Sequence, residues 1–182
     1  MATLLRDPDI RTLLTPDIET RHPGAWIRHE VGLCAGERRV DVAAIDTQLH
    51  GYEIKSDVDT LARLAGQAEA YGRVFDRMTL VTTSRYLDAV TAALPVWWEV
   101  MAVDGSGLRM VREGTENANV DGFALAQLLW RDEALSVLKA RGAARGLSKS
   151  RRWLVWQRLA AVVPLAELQG IVRDQLRARD WG

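Results

Sequence analysis

Two short segments joined by a three-residue turn constrain this chain more than any other feature. The segments are residues 39–45 and 49–55, and Asp46, Thr47 and Gln48 lie between them. Short runs of apolar and β-branched residues on either side of a polar turn are typical of a β-hairpin. The turn length sets the pairing register, because a shift of one residue would move every side chain to the opposite face.

In this register Asp41 lies opposite Glu53, and Lys55 falls on the same face of the hairpin. The other face receives mostly apolar side chains, which are Val40, Val42, Ala44, Tyr52 and Ile54, with His50 near the turn. We therefore expect one face to pack in a core and the other to bring two carboxylates and a lysine together.

The composition indicates a water-soluble globular protein. Hydrophobic residues make up 48% of the 182 positions and charged residues 26%, which is enough to build one core with a small appended unit. The single cysteine, Cys34, excludes an internal disulfide and a cysteine-based zinc cluster. No apolar signal segment is seen near the N-terminus, and the longest apolar uncharged run, residues 89–98, is too short to cross a bilayer. These features predict a cytoplasmic protein with no membrane partner.

The remaining elements predict an α/β fold. Helices are expected at residues 7–20, 60–75 and 85–94, and strands at 26–31, 78–82, 97–103 and 108–112, in addition to the hairpin. Asp59 is the expected N-cap of the second helix. A mixed central β-sheet flanked by helices follows from this order. Further helices are expected at 123–140, 149–162 and 164–179, so the predicted organisation is a core at 1–113, a linker at 114–121 and a basic helical unit at 122–182.

The hairpin carries groups that suit a divalent cation. Asp41 and Glu53 offer carboxylates from neighbouring strands, and the backbone carbonyl of Ile54 offers a third oxygen, which are the ligands that Mg²⁺ prefers. Lys55 could orient a water molecule or stabilise negative charge at a phosphate. Glu30 precedes the hairpin and is a further candidate ligand, with a solvated surface glutamate as the alternative. The alternative for the whole cluster is a surface ion-pair group of little energetic consequence.

Gln67 and Tyr71 lie one turn apart on the predicted second helix. Gln67, at the edge of the apolar stripe, is expected to reach the carboxylate site, although an isolated glutamine there would be an exposed helical residue. Tyr71 is expected to pack, with its hydroxyl at the rim of the site, and is a candidate contact for nucleic acid.

The ordered set of Asp41, Glu53-Ile54-Lys55 and Gln67 followed by Tyr71 resembles the PD-(D/E)XK nuclease superfamily, in particular its RecB-like branch. The resemblance covers roughly residues 26–83, and it departs from the superfamily pattern at Val40, where a proline is usual. It implies a restriction-endonuclease-like core and Mg²⁺-dependent hydrolysis of DNA phosphodiester bonds, with Mn²⁺ as a substitute metal. Asp41, Glu53, Lys55 and Gln67 would then be the catalytic residues. DNA is favoured over RNA by this family analogy only.

The charge distribution points to a polyanionic partner. Residues 1–138 contain 14 Lys and Arg against 21 Asp and Glu, whereas residues 139–182 contain 10 against 3, so the net charges are −7 and +7. Lys149, Arg151, Arg152 and Arg158 are the candidate phosphate contacts. Trp153 and Trp156 beside them either stack on bases or form the core of the helical unit.

Two alternatives to a nuclease acting alone remain open. The first is a non-catalytic nucleic-acid-binding or partner-recruiting protein that keeps a nuclease-like scaffold. The second is a nuclease subunit that needs a partner protein for targeting. The sequence does not distinguish duplex, single-stranded and branched DNA, endonuclease from exonuclease action, or a homodimer from a monomer.

Overall fold

The computed structural model describes residues 4–181. Its helices are α1 (Asp7–Arg21), α2 (Leu64–Gly72), α3 (Leu87–Ala93), α4 (Gly122–Ala126), α5 (Arg131–Ala140), α6 (Arg152–Val162) and α7 (Leu165–Ala178). Its strands are β1 (Trp26–Leu33), β2 (Arg38–Ile45), β3 (Leu49–Lys55), β4 (Arg77–Thr83), β5 (Glu99–Asp104) and β6 (Gly107–Arg112), with a short 3₁₀ turn at Cys34–Gly36.

The six strands form one mixed sheet in chain order. The pairs β1–β2, β2–β3 and β5–β6 are antiparallel, whereas β3, β4 and β5 run parallel. Parallel neighbours need a crossover connection, which α2 and α3 provide. The predicted mixed α/β sheet with flanking helices and a helical C-terminal part is confirmed.

Both faces of the sheet are covered. A smaller cluster joins Ile10, Leu14 and Ile18 of α1 to one face of the hairpin. The main cluster covers the other face and combines sheet residues with side chains of α2, α3 and all four C-terminal helices. The face predicted to bring Asp41, Glu53 and Lys55 together is therefore packed as well. Residues such as Ala43 and Ile45 bury the first part of that face, and β3 is buried along its whole length.

An irregularity in β1 changes which face some side chains occupy. Glu30 has a left-handed backbone conformation, with φ of 56°, and the β1–β2 ladder passes from the His29–Val42 pair to the Val31–Val40 pair. The alternation of side chains is interrupted at this point. On the neighbouring strand β2, Val40 belongs to the main cluster, although the sequence placed it on the same face as Val42, which lies in the smaller one.

Two predicted helices differ in extent from those observed. The Asp59 carboxylate accepts hydrogen bonds from the Ser56 backbone N–H (2.8 Å) and hydroxyl (2.5 Å), so it closes a turn and α2 begins only at Leu64. The helix predicted at 123–140 is divided into α4 and α5. A new helix start is built there, because the Glu133 carboxylate accepts from the backbone N–H of Trp130.

The segment at 114–121 is tied to the core through Asn117. Its side-chain amide donates to the carbonyl oxygens of Gly72 (2.6 Å) and Phe75 (2.8 Å), and its backbone N–H donates to Asp76. The division of the chain into a core, a linker and a helical unit stays a prediction. In the part of the chain that the structure describes, no helix has the length and apolar character needed to cross a membrane.

Candidate functional site

The predicted carboxylates meet where β2 and β3 separate. The paired register runs from Ile45–Leu49 to Val42–Tyr52, as expected from the three-residue turn. At the next position the Asp41 carboxylate accepts a hydrogen bond from the backbone N–H of Ile54 at 2.7 Å. This contact takes the place of a backbone pair and fixes Asp41 beside Glu53. A cleft of about 850 Å³ opens here, and Asp41, Glu53, Lys55, Gln67 and Glu30 are among its lining residues.

Glu53 is the centre of a buried hydrogen-bond network. Its Oε1 accepts from Lys55 Nζ (2.6 Å) and from the Gln67 side-chain amide (2.5 Å). Lys55 also donates to the Gln67 carbonyl oxygen at 3.0 Å. The Tyr71 hydroxyl lies 2.9 Å from Glu53 Oε2 and 2.6 Å from the carbonyl oxygen of Arg39. The Glu53 and Lys55 side chains are only 2% and 6% exposed, so this is a core cluster and not a surface ion-pair group.

The structure adds Arg11 of α1, which sequence reasoning missed. Its guanidinium lies 3.4 Å from the Asp41 carboxylate and donates to the Asp41 backbone carbonyl (3.1 Å). It also donates to Glu30 at 3.0 Å and to Asp7 at 2.6 Å. Glu30 pairs with Arg39 as well. The only signal in the sequence was a helical arginine next to the buried stripe that begins at Ile10.

Burial and charge alter the acidity of two groups in the cleft. Removal of Asp41 from water raises its pKa to about 7, and the neighbouring negative charge of Glu53 acts in the same direction. The Ile54 N–H, Arg11 and Lys55 oppose this rise. Burial also raises the pKa of Tyr71, with Glu53 as the second cause. Asp41 therefore exchanges its proton near neutral pH, whereas Tyr71 stays a neutral hydrogen-bonding group.

A divalent cation does not fit this arrangement well. Glu53 Oε1 accepts from two protein donors, Glu53 Oε2 shares the single Tyr71 hydroxyl proton with the Arg39 carbonyl, and Asp41 is engaged by Ile54 and Arg11. Lys55 and Arg11 already supply the positive charges that Mg²⁺ would bring. Among residues 4–181 no group of three or more His, Cys, Asp or Glu side chains is placed to hold a metal ion. Binding of Mg²⁺, or of Mn²⁺ in its place, by Asp41, Glu53, the Ile54 carbonyl and Glu30 stays a prediction.

The candidate nucleic-acid contacts fall into two groups. Lys149, Arg151, Arg152 and Arg158 are all exposed, and within the described residues none has a carboxylate within 4.0 Å. Tyr71 is fully buried, so a direct contact with nucleic acid would require it to leave its position. Trp156 is a core residue whose indole N–H donates to Leu129 at 2.9 Å, whereas Trp153 is 54% exposed against Phe123.

Comparison with known proteins matches the chain to one protein family and to two individual proteins. The family model described as "Bacteriophage P4 protein cII" matches residues 12–180. A curated relative, Protein cII of Enterobacteria phage P4, is 24% identical over 148 residues. That match covers 78% of this chain, which spans about 56% of the relative's length. A solved structure, the SPO1766 protein of unknown function from Silicibacter pomeroyi, is similar with a TM-score of 0.47 and 18% identity, covering 78% of this chain and 94% of that chain.

These matches correct the function that was predicted from the hairpin residues. The predicted membership of the PD-(D/E)XK superfamily and the predicted activity as a DNA-hydrolysing nuclease were wrong, because the match over residues 12–180 is to another family and the curated relative is Protein cII. The physical reason lies in the network itself. Glu53, Lys55, Gln67 and Tyr71 satisfy one another's hydrogen bonds inside the core, so their spacing is explained by the fold without any reaction.

The match extends from α1 to the end of α7 and includes the whole sheet, the cleft and the cationic C-terminal helices. The chain therefore belongs to the family described as bacteriophage P4 protein cII.

Proposed function

We propose that this protein is a non-catalytic nucleic-acid-binding protein. The observation that carries the proposal is a group of four cations that precede α6 or lie on it, Lys149, Arg151, Arg152 and Arg158, whose exposed side chains are called the basic surface below. These four side chains are exposed, and no carboxylate among the described residues neutralises them. Phosphate oxygens are the natural counter-charges for such a group of cations.

The basic surface differs from three other arginines of the C-terminal part, which are already paired. Arg141 pairs with Glu167, Arg173 with Asp76 and Arg179 with Glu133. Those arginines would have to give up an ion pair to bind phosphate. The cations of the basic surface give up only water, so binding there is the less costly process.

The uneven distribution of charge along the chain supports a contact between nucleic acid and one part of the protein. The chain as a whole has a net charge of zero, but residues 139–182 carry +7. A polyanion approaching this part meets a positive potential, whereas the acidic remainder repels it and limits the contact to one side. DNA is the polymer predicted from the sequence, and RNA offers the same phosphates.

A titration of labelled DNA followed by fluorescence anisotropy tests the proposal. If all four cations contact phosphates, the logarithm of the association constant should fall with the logarithm of salt concentration with a slope of about −3 to −4. Binding that is absent at low salt, or that does not respond to salt, would contradict the proposal.

Single-charge variants locate the contact. Arg151→Gln and Arg158→Gln should each weaken binding and reduce the salt slope by about one. Arg109→Gln is the matched control, because Arg109 is also exposed and unpaired within the described chain but lies on β6, at the opposite edge of the sheet from β1. Equal binding by all three variants would show that nucleic acid does not contact the basic surface.

A further inference from the structure

A second pocket lies beside the cleft and is lined by aromatic and cationic side chains. It has a volume of about 420 Å³. Three indoles and three guanidinium groups lie in its wall, namely Trp130, Trp156, Trp181, Arg131, Arg152 and Arg179. The volume is within the range of about 300–1,000 Å³ that small-molecule sites occupy.

Trp130 and the half-buried Trp181 offer ring surface to a ligand, whereas Trp156 is buried beneath them, and the three indoles offer few hydrogen-bond donors. The indole N–H groups of Trp156 and Trp181 already donate to the carbonyl oxygens of Leu129 (2.9 Å) and Leu176 (3.1 Å). Trp130 is 57% exposed, which is unusual for the largest apolar side chain and leaves much of its surface open to solvent. A flat aromatic ligand would bury this surface by stacking.

The arginines of the pocket have different roles. Arg179 lies 4.4 Å from the Trp130 ring centroid and 4.9 Å from that of Trp181, but its charge is neutralised by Glu133. The Arg179 guanidinium therefore holds the Trp130 and Trp181 rings in position. Arg152 lies 5.3 Å from the Trp156 ring centroid, has no carboxylate partner among the described residues and belongs to the basic surface. One free cation therefore joins the aromatic pocket to the proposed phosphate-binding surface.

We infer that this pocket receives an unstacked base of single-stranded nucleic acid while the basic surface binds the adjoining phosphates. The inference rests on the proposed function and specifies its ligand. In a duplex both faces of every base are covered by its neighbours, so a base can enter a pocket only from a single strand or after leaving the stack. Ring surface beside unpaired cations is the combination that binds single strands without reading their sequence.

The neighbouring cleft adjoins the pocket but carries charges of both signs. Gly32 and Gly36 line both cavities, so the two are contiguous. Arg38 and Arg63 on the cleft wall are exposed and have no carboxylate partner among the described residues. The same wall also carries carboxylates, namely Asp7, Glu30, Glu37, Asp41, Glu53 and Asp59, so the inference places the adjoining phosphates on the basic surface and not in the cleft.

The first test compares strands that differ only in their bases. A labelled oligothymidine of about 20 nucleotides should bind more tightly than a duplex of the same length, and more tightly than a strand of equal phosphate number in which abasic sites replace the bases. The abasic strand should lose about 5- to 100-fold in affinity. A ribonucleotide strand in parallel distinguishes RNA from DNA, and tighter binding of either single strand than of its duplex supports the inference.

The second test uses variants of the pocket. Trp130→Ala should weaken oligothymidine binding by about 5- to 100-fold with an unchanged salt slope, and Trp130→Phe should retain most of the affinity. Neither change should alter binding of the abasic strand, because there is no base to stack. Trp153→Ala is the matched control, since Trp153 is exposed to a similar degree, 54%, and does not line the pocket.

The outcomes separate this inference from the proposed function. One outcome would be salt-dependent binding that is lost with Arg151→Gln but is equally strong for duplex, thymidine and abasic strands. It would contradict the base pocket and still support nucleic-acid binding by the basic surface. An equal loss with Trp130→Ala and Trp153→Ala would also contradict the base pocket. No binding to any strand at low salt would remove both. The abasic comparison uses the wild-type protein, so it holds even if Trp130→Ala unfolds, which circular dichroism would reveal.

Discussion

Asp41 is the side chain whose behaviour depends most on its surroundings. It retains 22% exposure, yet burial and Glu53 raise its pKa to about 7, whereas an aspartate in an unfolded chain has a pKa of about 3.9. The folded state therefore binds this proton more tightly than the unfolded state. The contribution of Asp41 to stability is fully present below about pH 4 and is lost as the pH rises through about 7.

Replacement by asparagine should remove this pH dependence. Asp41→Asn keeps an oxygen that can accept from Ile54 N–H but carries no charge. Between about pH 5 and about pH 8 the variant should gain stability relative to the wild type, on the order of 1–2 kcal/mol after allowance for partial exposure. Urea unfolding at the two pH values measures the gain. Asp174→Asn, an exposed change on α7, is the control and should show none.

β3 and α2 illustrate how one buried ion pair joins two elements. All seven residues of β3 are buried, and Glu53 and Lys55 lie at its C-terminal end, beside the cleft. Gln67 and Tyr71 of α2 complete the hydrogen bonds of both charges. A buried pair of this kind adds little when compared with an apolar pair, but the removal of one member leaves a desolvated charge. The network is thus a condition for α2 to pack on the sheet.

We expect Glu53→Gln to destabilise the protein by about 3–5 kcal/mol, because Lys55 would then be buried without a counter-charge. The double variant Glu53→Gln with Lys55→Met removes the charge as well and should recover most of the loss. Thermal unfolding of the wild type, the single variant and the double variant measures the coupling. Additive losses in the double variant would show that the two charges do not depend on each other.

The molecule as a whole is organised by one continuous hydrophobic cluster. It contains sheet residues such as Leu80 and Val100 together with Leu125, Leu159 and Leu176 of the C-terminal helices. Those helices therefore cover the face of the sheet that α1 does not. This arrangement also creates the aromatic pocket, because Val31 of β1 and Trp130 contribute to the same wall.

A chain ending at residue 121 should not fold on its own, since the main cluster would lose the whole C-terminal side. The full chain should unfold in one transition, whereas the shortened chain should bind a dye specific for exposed apolar surface and lack a sharp thermal transition. A cooperative transition in residues 1–121 would instead support the division into separate units that the sequence predicts.

Local patterns determined the elements that depend on few neighbours. The three-residue turn is sufficient for the Ile45–Leu49 pairing, and with it the approach of Asp41 to Glu53, because hairpin register is a short-range property. The helix α1 and the helices of the basic C-terminal unit could be predicted for the same reason, because their apolar residues recur at helical spacing. The predicted α/β class followed from the order of such elements.

Only the tertiary structure decided the features that join distant parts of the chain. Arg11 reaches Asp41 from thirty residues away, and Val40 lies in the main cluster whereas Val42 lies in the smaller one. Trp130, Trp156 and Trp181 meet in one pocket although they lie on different C-terminal segments. The sequence spacing of Asp41, Glu53, Lys55 and Gln67 correctly indicated that these side chains belong together. It could not indicate that they satisfy one another inside a core, because burial is a property of the whole packed molecule and not of any segment.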